Sequence, residues 1–240
     1  MHNAALSWQQ AGVLTAALAA AAVVLTLGML PRLAPLAPFT REATLVSGLY
    51  TAWQLAGTLS VLGTSGALAR ADWIEHAERT WHLPSEAALQ AAFTGHPLLI
   101  EAANVYYATM HFGVLFVFLL WLFVRHRERY PAIRRVLALT TLVCLAIQLL
   151  PVAPPRLLPG YGYVDTAERY GQSVYSLGFG ADQLSAMPSV HVAWAVLVAW
   201  TVFRLVSGPA RLVGAAHAVL TLLVVVITAN HFWADGIVAV

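Results

Sequence analysis

The chain has 240 residues, of which 60% are hydrophobic and only 10% charged, and its formal net charge is +2. Soluble domains carry about 25% charged residues, so this deficit excludes an ordinary soluble fold and points to the membrane class. The small charge gives no footing for nucleic acid. With one cysteine, Cys144, neither an intrachain disulfide nor a cysteine-based metal motif can form.

A spanning helix needs about 20 apolar residues, and runs of that kind lie at residues 11–30, 43–68, 108–124, 136–150, 190–206 and 212–228. The first is too long for a signal-peptide core of about 7–15 residues, and no basic segment precedes it. A further helix starts near His231 and reaches only to Val240, so it is expected to be an incomplete last span or a half-helix. The expected architecture is therefore an all-α, polytopic transmembrane bundle of about six spans plus a truncated last helix. Residues 1–69 form an N-terminal transmembrane pair, 70–103 an outer interfacial segment, and 104–240 a catalytic transmembrane core.

The interfacial segment contains ADWIEHAERTWHLPSEAALQ, residues 71–90. Its spacing predicts an amphipathic helix, with Trp73, Ile74, Ala77 and Trp81 on the apolar face and Asp72, Glu75, Glu78 and Arg79 towards water. Leu83-Pro84-Ser85 breaks it, and Ser85 caps a second short helix.

Arginine asymmetry sets the orientation. The segment RHRERYPAIRR, residues 125–135, is the densest positive cluster and is placed in the cytoplasm. Counting spans from it puts the loop 151–188 and the junction 229–235 outside, and the loops bearing Arg32, Arg41, Arg204 and Arg211 inside. All thirteen basic residues are arginine, a bias that points to a GC-rich bacterial genome and hence a bacterial cell membrane.

Three polar segments then fall on the outer side: PVAPPRLLPG with Arg156, AMPSVHVAWA with Ser189 and His191, and TANHFWADG with Asn230, His231 and Asp235. His231 and Asp235, four residues apart, share a helix face. A carboxylate on one imidazole nitrogen fixes the tautomer and frees the other nitrogen to act; a structural pair satisfying a helix terminus is the competing reading. Pro188 suits a first helical turn, which places Ser189 and His191 at a helix N-terminus, a ready anion site. Arg156 either clamps phosphate oxygens or snorkels to headgroups.

Taken together, Arg156, PSVH and His231-x-x-x-Asp235 resemble the type-2 phosphatidic acid phosphatase superfamily, whose corresponding motifs are PSGH and a terminal His-x-x-x-Asp. The likeness is closer to the inositol phosphorylceramide synthase-like (inositolphosphotransferase) branch, on PPRLL (154–158), VDT (164–166) and MPSVHVAWA. It runs from about Asp72 to the end and is most specific in the last 90 residues.

The resemblance implies a metal-independent enzyme without cofactor. His231 attacks phosphorus to form a phosphohistidine, and Asp235 orients it. His191 exchanges the proton with the leaving and incoming oxygens, while Arg156, Ser189 and helix N-terminal amides hold the phosphoryl oxygens. Asn230, Asp165, His111 and Tyr107 are candidates to line the substrate, although His111 can equally be a packed interior histidine and Asp165 can orient Arg156 or merely end a turn. Asp182 and Gln183 are weaker headgroup candidates.

Three positions depart from the phosphatase pattern: Leu149 where it has lysine, Val225 where it has a second arginine, and Val190 for the glycine of PSGH. One arginine in place of two arginines and a lysine suits a singly charged phosphodiester. The expected function is a membrane phosphotransferase acting on a lipid-linked phosphoester at the outer membrane face. A lipid or polyprenyl phosphate phosphatase would use the same residues. A non-enzymatic lipid transporter predicts ionisable groups near mid-membrane on several helices, whereas these cluster at one end. An inactive scaffold is disfavoured because His191, His231 and Asp235 are all present.

Overall fold

A computed structural model describes residues 6–58, 65–173 and 183–240. Among them the structure is helical apart from one isolated bridge, Val152 to Ser185. The chain divides into two compact units, one built from residues up to 58 and the other from residue 65 onward.

The first unit is a helix pair, α1 (Trp8–Thr26) and α2 (Ala37–Thr58), joined by a short 3-10 helix at Pro31–Leu36. Ser7 and Gln10 form a reciprocal capping box that starts α1. Small residues line the seam: Thr15 Oγ1 lies 2.8 Å from Ser47 Oγ and 3.1 Å from Thr51 Oγ1, beside Gly12 and Gly48. Close approach of this kind, with hydroxyls bonding across, is how apolar helices associate where lipid removes the hydrophobic drive. The expected second span at 43–68 is corrected at its start, since α2 begins at Ala37, and at its last residues, since Ala67 and Leu68 belong to a separate helix that begins at Ala67.

The second unit contains α3 (Ala67–Thr80), α4 (Glu86–Thr94), α5 (Pro97–Arg125), α6 (Tyr130–Gln148), the short α7 (Thr166–Arg169), α8 (Val190–Leu205), α9 (Arg211–Ile227) and α10 (Trp233–Ala239). Of the described helices, α1, α5 and α6 are long and apolar enough to cross a membrane, while α8 and α9 are shorter apolar helices. Phe116, Val117, Leu139 and Leu142 lie exposed on α5 and α6, an apolar surface that suits lipid rather than water.

Helix α5 begins eleven residues before the expected start at 108. An apolar window misses its first turns because they carry Glu101 and Asn104. Asn104 is buried and satisfied from outside the helix, donating to Gln172 Oε1 at 3.0 Å and accepting from Thr166 Oγ1 at 2.9 Å.

The face assigned to α3 is also corrected. Ile74 is buried as expected, but Trp73 and Trp81 are exposed, while Glu75 and Glu78 are only 2% and 3% exposed. The carboxylates turn inward because the protein supplies donors there. Tyr163 Oη donates to Glu75 Oε2 at 2.6 Å, and the amide of Ala234 donates to Glu78 Oε1 at 2.5 Å. Ser85 does cap α4, accepting from the amide of Ala88 at 3.2 Å.

Helices α8 and α9 form a hairpin closed by a glycine. A Cβ on Gly214 would stand 3.1 Å from both Ala199 Cα and Val202 Cβ. We expect Gly214→Val to force the pair apart and lower stability by about 1–3 kcal/mol, read as a fall in thermal midpoint in detergent. Gly113→Ala, with nothing within 4 Å of its Cβ, should leave the midpoint unchanged or raised.

Candidate active site

The site forms where the C-terminal ends of α6 and α9 meet the N-terminal ends of α8 and α10. Each end is shaped by a local device. Helix α9 stops in a left-handed residue, Ala229 (φ +51°), with the amide of Asn230 bonding back to Val225 O at 3.0 Å and that of Ala229 to Val226 O at 2.8 Å. This is a Schellman arrangement without the usual glycine; a side chain there costs on the order of 1 kcal/mol. The turn is held from outside, because the Arg156 amide donates to Ala229 O at 3.0 Å.

Helix α8 starts at Val190, with Ser189 as its cap: Ser189 Oγ accepts from the Val192 amide at 3.4 Å. Pro188 therefore precedes the helix and does not occupy its first turn as expected, and the Met187–Pro188 peptide is cis. Gln148, at the end of α6, donates to Pro188 O at 2.9 Å and to Ser185 O at 3.2 Å, fixing this turn.

His231 and Asp235 meet, but not across a helix face. His231 and Phe232 precede α10, and Asp235 reaches back from the first turn: its Oδ2 accepts from the Phe232 amide at 2.9 Å and lies 3.2 Å from His231 Nδ1. The expectation of a shared helical face is corrected to a capping contact, whose cause is the need of the first amides of α10 for acceptors. His231 Nδ1 is also 2.7 Å from Ala186 O. A carbonyl can only accept, so Nδ1 carries a proton, and in the neutral ring the lone pair is on Nε2. The Ser189 amide donates to Asp235 O at 3.0 Å, tying the start of α8 to the same residue.

His191 and His231 come together, with ring centroids 5.6 Å apart. The Nε2 atoms of both are buried and without a hydrogen-bond partner among the described residues. Tyr107 stacks on His191 at 4.5 Å, and His111 meets it edge-on at 4.3 Å, with its own Nδ1 3.0 Å from Tyr107 O. Tyr107, His111, His191 and Trp194 line a small cavity between α5, α8 and α9. His217, which the sequence gave no reason to single out, is 2.8 Å from Tyr106 Oη in the same region.

Arg156 is buried and held on three sides. Its Nε donates to Asp165 Oδ2 at 2.9 Å, Nη1 to Asn230 Oδ1 at 2.8 Å and Nη2 to Gln183 Oε1 at 3.4 Å. Asp165 also starts α7, its Oδ1 accepting from the Glu168 amide at 2.9 Å. Asp182 lies outside the described residues. Among the described residues no group of three or more metal-binding side chains is placed to hold an ion.

Sequence reasoning missed Gln148, Glu78, Glu86 and Gln90. Gln90 pairs with Val164 through both backbone groups at 2.9 Å, anchoring the segment that carries Asp165. Their only sequence signal was a polar side chain beside apolar neighbours, which gives no partner.

The fold and site thus define a helical membrane protein with two neighbouring imidazoles, their Nε2 atoms buried, beside an immobilised guanidinium. The profile of the PAP2 superfamily matches residues 72–240, and the chain belongs to that superfamily. Comparison with curated proteins and with solved structures finds no match.

Breaking the Arg156 brace tests its contribution to the site. Asp165→Ala leaves a buried guanidinium short of its carboxylate, a change that costs about 3–5 kcal/mol in fully buried pairs; with Asp165 18% exposed, a lower figure is expected. Thermal unfolding in detergent would measure it, and Asp165→Asn, which keeps the cap acceptor, should lose less.

Proposed function

We propose that this protein is a membrane phosphotransferase that moves a phosphoryl group on a lipid-linked phosphoester through a phosphohistidine on His231. Membership of the PAP2 superfamily supports chemistry on phosphoesters. The observation that carries the finer reading is the pair of Nε2 atoms, without partners among the described residues, on rings 5.6 Å apart. Catalytic groups must come within about 3 Å of the atoms they act on, and that separation suits one phosphorus between the two rings.

In the first half-reaction His231 Nε2 attacks phosphorus. The N–P bond forms as the bond to the leaving oxygen breaks, and that oxygen takes a proton from His191. Asp235 and Ala186 O stabilise the imidazolium through Nδ1–H. In the second half-reaction His191 takes the proton of an incoming alcohol or water, whose oxygen attacks phosphorus as the N–P bond breaks. Arg156, aligned by Asp165 and Asn230, offers charge to the phosphoryl oxygens with Ser189 Oγ. Tyr107 and His111 line the approach to His191.

A single arginine favours a diester, and with the PPRLL and VDT stretches this supports a headgroup transferase of the inositol phosphorylceramide synthase-like kind. Water as acceptor would make the same site a lipid phosphate phosphatase. The arginine-rich segment 125–135 supports a site on the extracytoplasmic face of a bacterial cell membrane.

His231→Ala is expected to abolish turnover of phosphatidic acid and phosphatidylinositol in mixed micelles. It also removes a donor from Asp235 and Ala186 O, so its thermal midpoint should fall while unfolding in detergent stays cooperative. His191→Ala should slow both formation and breakdown of an acid-labile phosphoprotein by about 10²-fold or more. EDTA should leave activity intact. Comparing inorganic phosphate release with headgroup transfer to an added long-chain alcohol separates phosphatase from transferase. Substantial turnover by His231→Ala would refute the nucleophile assignment.

A further inference from the structure

The amides at the start of α10 have no partners within the helix. One is met by Asp235. The other two contacts come from a different part of the chain: the Trp233 amide donates to Glu86 Oε1 at 3.3 Å and the Ala234 amide to Glu78 Oε1 at 2.5 Å. The Trp233 indole also donates to Pro84 O at 2.8 Å. Helices α3 and α4 and the turn between them thus grip the residues that immediately follow His231. Glu78 and Glu86 are 3% and 2% exposed, a burial that carboxylates tolerate only when partnered.

We propose that Glu78 and Glu86 are positioning residues for His231, holding the first turn of α10 through Trp233 and Ala234 so that Asp235 and Ala186 keep the imidazole aligned. The inference rests on His231 being the nucleophile. A wrongly placed helix end is enough to matter, since misplacement by about 1 Å can cost on the order of 10²-fold in rate.

The groups facing Glu78 determine how this hold responds to pH. They are Glu86 on α4, Asp235 on α10 and Tyr163 from the loop, with Glu75 on its own helix bonded to the same Tyr163. Arg79 is committed to Glu75 Oε1 at 2.8 Å, and Tyr163 Oη to Glu75 at 2.6 Å with Glu86 Oε2 at 3.4 Å. Glu78 Oε2 is buried without a hydrogen-bond partner among the described residues. Burial first, then the nearness of Glu86, pushes the Glu78 carboxyl up to about 9. The folded value lies above the unfolded one, so the stability that goes with the protonated carboxyl is fully present at low pH and is lost as pH rises through about 9. The Ala234 amide itself favours the ionised form, so what is lost is the neutral pairing with Glu86. Ionised, Glu78 would bring a buried negative charge against Glu86 and Asp235 at the start of α10.

The test uses the full chain in detergent, with kcat and KM for phosphatidylinositol and phosphatidic acid measured across pH. The wild type should lose kcat on an alkaline limb near pH 9, with KM little changed. Glu78→Gln keeps the acceptor for Ala234 and cannot ionise, so it should retain kcat and move or remove that limb. Glu78→Ala should lower kcat by about 10–10²-fold at all pH. At equal pH it should also speed hydrogen exchange at the Trp233 and Ala234 amides. If Glu78→Ala does not fold, the profile of Glu78→Gln decides. An unshifted limb in Glu78→Gln, or unchanged exchange and kcat in Glu78→Ala, overturns the positioning role. Turnover by His231→Ala in the same assay would instead overturn the nucleophile assignment, and the exchange measurement would still report whether the hairpin holds α10.

Discussion

The carboxylate of Asp235 is fully buried, and three segments of the chain are organised around it. Through Oδ2 it meets the His231 imidazole and the Phe232 amide, and through its backbone carbonyl it receives the Ser189 amide that begins α8. The donors on Oδ2 offset part of the cost of that burial and hold His231 beside the start of α10, while the backbone carbonyl of the same residue holds the start of α8, so the two histidine-bearing helix ends come to one place. Oδ1 has no hydrogen-bond partner among the described residues. Ala186 O completes the arrangement, and with it the choice of tautomer that leaves Nε2 of His231 unprotonated.

Around this centre the protein solves the same problem several times: how to end helices inside a low-dielectric body without orphaned backbone groups. The end of α9 turns back on itself at Ala229 and hands a carbonyl to Arg156. The start of α8 is capped by Ser189 and steadied by Gln148. The start of α10 takes carboxylates from Asp235, Glu78 and Glu86. Because helix ends expose polar groups to one another, the site is assembled from the groups that those ends require. Arg156 joins this network through Asn230, which itself donates to Thr228 Oγ1 at 2.9 Å, so the guanidinium is oriented by the same turn that presents His231.

The departures from the phosphatase pattern take on a structural sense. Val225, where the pattern has a second arginine, is 1% exposed, and its carbonyl accepts from the amides of Asn230 and His231. Here the side chain packs with Val192 and Val226 and adds no charge. Leu149 is exposed and contributes none either. The positive charge contacting the site residues comes from Arg156 alone among the described residues, held by Asp165, Asn230 and Gln183, which pre-orient it at the cost of part of its field.

Composition and apolar run length determined the membrane class and the all-helical fold, because both depend on the sum of many side chains and survive errors at any one of them. The spacing of PSVH and His231-x-x-x-Asp235 marked the site for the same reason that local motifs are legible: their partners lie within one turn. What only the tertiary structure decided are the contacts between residues far apart in the chain. Glu78 and Glu86 read as water-facing charges because periodicity counts polarity and cannot see the amides of Trp233 and Ala234, some 150 residues further on. Helix α5 read as short because the partners that satisfy Asn104 come from Thr166 and Gln172. The 5.6 Å approach of His191 and His231 depends on how α8, α9 and α10 pack. That distance belongs to the fold, because no residue type in either motif specifies the distance to the other.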